Sequence, residues 1–141
     1  MILFLFPLLL FGALLNSGRN WIATAIMNYD TPTFFDHDNS YLCVGDSSTA
    51  YSATQTDLQA VTNKTRKEMD TSYPTIATNV LTYRSTFSTS EANFEWIEWG
   101  LANDPTAGTL LNRKVESPSL GTKTSAQAWV LSAELTVGIG S

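Results

Sequence analysis

From Trp129 onward, Trp129, Leu131, Ala133, Leu135, Val137 and Ile139 place an apolar side chain at every second position. A period of two belongs to a strand, because successive side chains leave an extended backbone on opposite faces. Weaker signals of the same kind lie upstream. Tyr41 to Gly45 is a short apolar run that stops at Gly45-Asp46, and Thr65 to Met69 predicts a second strand ahead of Tyr73-Pro74. Asn79 to Phe87 puts Leu81, Tyr83, Ser85 and Phe87 on one face. Asn93 to Leu101 alternates Phe94, Trp96 and Glu98 against Glu95, Ile97 and Trp99, and Thr109 to Glu116 follows a turn at Asn103-Asp104-Pro105 and Gly108. Short strands separated by turn residues predict an all-β chain, a single antiparallel β-sandwich or jelly-roll-like domain.

Two stretches fall outside that pattern. Trp21, Ile22, Ala25 and Ile26 share one helical face, so a short helix is expected at about residues 17–27, capped by Asn16 or Ser17. Asn28 to Ser40, with Pro32 and the pair Phe34-Phe35, has loop composition, as does polar Ser47 to Leu58. The division expected is an apolar N-terminal arm over residues 1–15 and a β-sandwich domain over 16–141.

The arm admits three readings. A signal peptide needs a cationic start and a small-residue cleavage site, yet the first cation is Arg19. A transmembrane helix needs about 20 apolar residues, and this run is shorter and carries Pro7. The expectation is an arm buried in a protein assembly, with Ile2, Phe4, Leu8 and Phe11 as interface residues and Trp21, Phe34 and Phe35 beside them.

Charge narrows the function. The net charge is −5, and charged residues make up 15% of the 141 positions, against about 25% in an average domain. An acidic chain without a basic tract argues against nucleic-acid binding, and no membrane partner is expected either. Lys64, Arg66 and Lys67 are the densest cationic group and read as a solvated strand face. Cys43 is the single cysteine, so an intrachain disulfide or thiolate cluster is excluded and a buried structural thiol is expected.

No set of residues spells out a reaction. His37 lies between Asp36 and Asp38, but neighbours on extended backbone point apart and cannot easily converge on one ion. Glu95 and Glu98, three apart on one strand, fall on opposite faces and cannot flank a glycosidic bond unless a bulge intervenes. Trp96 and Trp99 are expected on opposite faces too, one in the core and the other on an interface or second layer. Catalytic residues, metal ligands and cofactors are therefore all expected to be none, and the chain is expected not to be an enzyme.

Several blocks together resemble a family of small structural proteins encoded among the virion genes of tailed bacteriophages and prophages. They are Asn16-Ser17-Gly18-Arg19-Asn20-Trp21-Ile22-Ala23, Tyr41-Leu42-Cys43-Val44-Gly45-Asp46-Ser47-Ser48-Thr49-Ala50, Leu81-Thr82-Tyr83-Arg84-Ser85-Thr86-Phe87 and Ala92-Asn93-Phe94-Glu95-Trp96-Ile97-Glu98-Trp99-Gly100. Shorter matches at residues 53–59, 66–70, 111–115 and 120–124 extend the likeness over about residues 16–137. The resemblance implies a virion component with a β-sandwich. It points first to a capsid decoration (cement) protein, a homo-oligomer and specifically a trimer, with the major capsid protein as partner. The same pattern is similar to domains of tail-collar and fibre proteins, and a tail- or fibre-associated role is the alternative. A secreted or cell-surface binding module, with the arm as a variant export signal, is a third. The family supplies no catalytic residues, and its members begin near Asn16, so the arm departs from it.

Overall fold

The β-forming composition is realised as antiparallel sheets with one short helix. In the computed structural model, which describes residues 2–4 and 14–138, the elements run β1 (Ile2–Phe4), α1 (Asn16–Met27), β2 (Tyr41–Gly45), β3 (Lys64–Glu68), β4 (Thr75–Ala77), β5 (Val80–Phe87), β6 (Glu95–Trp96), β7 (Glu98–Ala102), β8 (Leu110–Val115), β9 (Gly121–Thr122) and β10 (Trp129–Thr136). One four-stranded sheet has the order β1-β10-β5-β4 and another the order β3-β2-β7-β8, while β6 and β9 form a two-stranded ribbon. All pairings are antiparallel except that of β1 with β10, which runs Ile2↔Trp129 to Phe4↔Leu131.

One core joins the two large sheets. The alternation along β10 and β5 brings Trp129, Leu131, Ala133, Tyr83 and Phe87 into one buried cluster with Leu42 and Val44 of β2, Trp99 and Leu101 of β7, and Leu111 of β8. Each of the larger of these side chains contributes roughly 1.5–3 kcal/mol on burial. The expected opposition of Trp96 and Trp99 does not hold, because both lie in this cluster. The run Asn93 to Leu101 is not one strand: β6 pairs with β9, β7 pairs with β2 and β8, and Ile97 between them is where the chain changes partner. Trp96 then meets Phe87 at 4.8 Å and Trp129 at 5.1 Å, both edge to face.

A bulge seats the helix. The β7–β8 register shifts between Leu101 and Ala102, where Leu101 faces Asn112 and Ala102 faces Leu110. The extra residue is Leu111, whose carbonyl accepts the Leu15 N–H, while Leu14 bridges to Asn112. The Asn112 side-chain oxygen accepts the Leu101 N–H beside the shift. Helix α1 starts at the residue after Leu15, Asn16. Its N-cap is Leu15, rather than the expected Asn16 or Ser17, and Ser17 donates instead to the Leu110 carbonyl. Sequence periodicity signals a cap by residue type, but here β8 supplies the partner. At the far end Asn28 is left-handed (φ 48°), with Asn28 and Tyr29 N–H groups closing on Ala25 and Thr24 carbonyls. Trp21 and Ile22 pack against the core, whereas Ile26, expected on the same face, is 79% exposed.

Candidate functional site

The sheet β3-β2-β7-β8 is covered on both faces. On its outer face Cys43, Ala102 and Leu110 join Leu15 and Leu58 in a second apolar cluster. The loop between β2 and β3, read from the sequence as a polar loop, lies over this face and is pinned there by polar groups. Glu98 Oε2 accepts from Arg113 Nε at 2.5 Å, with both side chains fully buried. The same carboxylate accepts the N–H groups of Gln59 (3.0 Å) and Ala60 (2.7 Å). Arg113 also donates to Gln55 Oε1 and to the Thr49 carbonyl. A buried charge is tolerable only when paired and hydrogen-bonded, and this loop backbone supplies the remaining bonds.

Asp57 makes a second fastening. Its carboxylate takes Lys64 Nζ at 2.6 Å and Arg66 Nη2 at 3.0 Å. Burial pushes the Asp57 carboxyl up, but the hydrogen bonds from Lys64, Arg66 and the Leu58 N–H outweigh it and hold it below the ordinary value. Arg66 reaches further, donating to the Asp104 and Ala107 carbonyls of the β7–β8 turn. Lys67 pairs with Glu91, and that hydrogen bond with the one from Ser88 lowers the Glu91 carboxyl to about 2. The three cations expected on a solvated face are therefore all engaged in ion pairs within the chain.

The residues with catalytic potential stand apart. His37 Nδ1 lies 2.5 Å from the Tyr73 carbonyl, a contact between two loops. Glu95 accepts from Ser119 at the surface, while Glu98 is buried with Arg113. Cys43 is fully buried, and burial pushes its thiol up to about 12. Among the described residues, no three His, Cys, Asp or Glu side chains could jointly hold a metal ion, and no helix is long and apolar enough to cross a membrane.

The expected interface residues divide. The backbone of Ile2 and Phe4 belongs to β1, whereas their side chains, and Leu8 and Phe11 altogether, lie outside the described residues. Phe35 is buried in the chain's own core. Trp21 is half-buried, 4.7 Å from Phe35 and 6.2 Å from Phe34, and Phe34 is 49% exposed.

An apolar margin that sequence reasoning did not single out lies on the other sheet. Ile76 of β4 is opposite Leu81 of β5, which is opposite Leu135 of β10, so the three share a face, and Val137 continues the row. Leu81 and Leu135 pack on the core, but Ile76 is 71% and Val137 64% exposed. Strand β4, Thr-Ile-Ala, forms the end of this sheet, is exposed throughout and carries no charge. Edge strands are commonly guarded by Lys, Pro or a bulge. The signal available in the sequence was Ile76 itself, an isolated β-branched residue just after Pro74. No protein-family model matches this chain, and no curated protein matches it significantly.

Proposed function

We propose that this chain is a capsid decoration (cement) protein of a tailed bacteriophage, a β-sandwich formed by its two four-stranded sheets that attaches as a trimer to a lattice of the major capsid protein. The observation that carries attachment is the uncharged margin of Ile76, Leu81, Leu135 and Val137 beside β4, the end strand of its sheet among the described residues. An apolar row that ends in the exposed Ile76 and Val137 at a sheet edge suits a surface completed by a neighbour. The resemblance of residues 16–137 to small virion proteins supplies the identity of that neighbour. Its buried Glu98–Arg113 pair and the Asp57 contacts brace the loop over β2 and β7, a scaffolding use of charge.

A ligand that binds the assembled shell and not its separated subunits stabilises it by mass action, and a trimer touching several subunits multiplies weak contacts. Particles lacking the protein should therefore keep normal geometry but release packaged DNA at a lower temperature. Adding purified protein back should restore the release temperature, while Ile76→Asp or Val137→Asp, both at exposed positions, should bind particles poorly and remain folded. Coincident release curves with and without the protein would refute the cement reading. The blocks that are similar to tail-collar and fibre domains favour a tail-associated role as the second reading, and labelling confined to the tail would establish it.

A further inference from the structure

Helix α1, the segment after it and the β7–β8 turn enclose an open groove of about 380 Å³, within the usual size range of small-ligand sites. Its walls are held by internal bonds: Trp21 Nε1 and Asn103 Nδ2 both donate to the Thr33 carbonyl at 2.8 Å, and the Thr109 N–H donates to Asn103 Oδ1. The Trp21 ring is thus fixed in orientation, braced by Phe34 and Phe35. The rim is a strained turn. Asn28, Asp30 and Thr31 all hold left-handed backbone, with φ of 48°, 56° and 46°. For a β-branched threonine this conformation is costly, and such costs concentrate where a ligand is clamped. The turn contributes Tyr29 and Asp30 to the groove lining, and the helix contributes Asn20.

We propose that this groove is a binding site for a neutral saccharide, a mono- or disaccharide unit of a surface glycan. The lining contains no Lys or Arg, and its one charged residue is Asp30, so phosphate, carboxylate and nucleic-acid ligands are disfavoured. Two aromatic residues, Trp21 and Tyr29, line the groove, and an aromatic ring can pack against the C–H face of a sugar ring. Around them the side chains of Asn20, Tyr29, Asp30 and Thr109 are not engaged in hydrogen bonds among the described residues, which leaves donors and acceptors together for vicinal hydroxyls. A purely apolar ligand would strand these groups. This inference does not depend on shell attachment, since the groove involves none of the margin residues.

The test titrates isotope-labelled full-length protein with free glucose, galactose, mannose and N-acetylglucosamine and their disaccharides, following amide and indole resonances. The result expected is saturable, millimolar binding of at least one sugar, with shifts at the Trp21 indole and at Asn20, Tyr29, Asp30 and Thr109. Asn20→Ala and Tyr29→Ala, at exposed positions and with unchanged melting, should each weaken binding about tenfold. Absence of saturable shifts with every sugar, or shifts that neither substitution alters, would overturn the proposal. Saturation of the groove by an amphipathic peptide and by no sugar would overturn it in favour of protein docking.

Discussion

Arg113 donates its Nε–H to Glu98 across the β7–β8 pair, and neither side chain retains any exposure to solvent. Removing one partner, as in Arg113→Met, leaves an uncompensated buried charge, so a loss of about 3–5 kcal/mol is expected. Replacing both members of a buried pair with apolar residues is often close to neutral. Here it should not be, because Glu98 also satisfies the N–H groups of Gln59 and Ala60. Glu98→Leu with Arg113→Met should stay destabilised by about 1–3 kcal/mol for each orphaned buried group, and the covering loop should become susceptible to proteolysis. Urea midpoints of the single and double variants make the measurement. Full recovery in the double variant would show that the loop backbone does not need the carboxylate.

Gly18 lies against the bulge, and a Cβ there would stand 2.1 Å from the Leu111 carbonyl oxygen. Glycine to alanine within a helix ordinarily gains about 0.5–1 kcal/mol. Gly18→Ala should reverse that sign, because the obstacle is backbone rather than a mobile side chain. The variant should melt lower, with the Trp21 environment changed in near-ultraviolet circular dichroism. Equal or higher stability would mean that α1 is not held to β8 at this distance.

Cys43 should be inert in the native chain. Burial pushes its thiol up to about 12, so the thiolate, which is the reactive form, is scarce at neutral pH. A coloured disulfide reagent should react only as fast as the protein unfolds, and raising the pH to about 9 should change little. Prompt stoichiometric labelling would contradict the packing of β2 under its loop.

Acid should loosen the contacts around β3. Hydrogen bonds from Lys67 and Ser88 lower Glu91 from 4.5 to about 2, and Asp57 is also depressed. Both carboxyls titrate lower folded than unfolded, so their contribution is complete above the unfolded values and is lost as pH falls toward the folded ones. Melting temperature should therefore decline from about pH 4.5 toward pH 2, and Glu91→Gln should flatten part of that decline. Glu91 is partly exposed, so its share should stay below about 1 kcal/mol. An identical acid profile in Glu91→Gln would remove it from the account.

Strand identity was legible wherever one face of a strand is apolar and the other polar. Trp129, Leu131 and Ala133 of the predicted run are buried in β10 and Tyr83, Ser85 and Phe87 in β5, while Val137 lies past the end of β10 and is exposed and Ile139 lies outside the described residues. The two-residue strands β6 and β9 and three-residue β4 are too short to carry a period. The polar network around Glu98 was illegible for a different reason. Charged residues at alternate positions ordinarily signal a solvated face, and only the loop folded over that face makes Arg113 an interior partner and leaves Arg66 largely covered. The groove beside Trp21 likewise joins residues about 80 apart along the chain.

By itself, then, the sequence determined that this chain would be built mainly of antiparallel strands with one short helix, because period, turn residues and helical spacing are local properties of the backbone. The tertiary structure alone decided that Trp96 and Trp99 share one core and that Glu98 meets Arg113. It also decided that Ile76 is left exposed on the end strand of its sheet among the described residues. Each of these depends on which strand pairs with which and on where Ile97 and the Leu111 bulge redirect the chain, choices set by packing among segments distant in sequence.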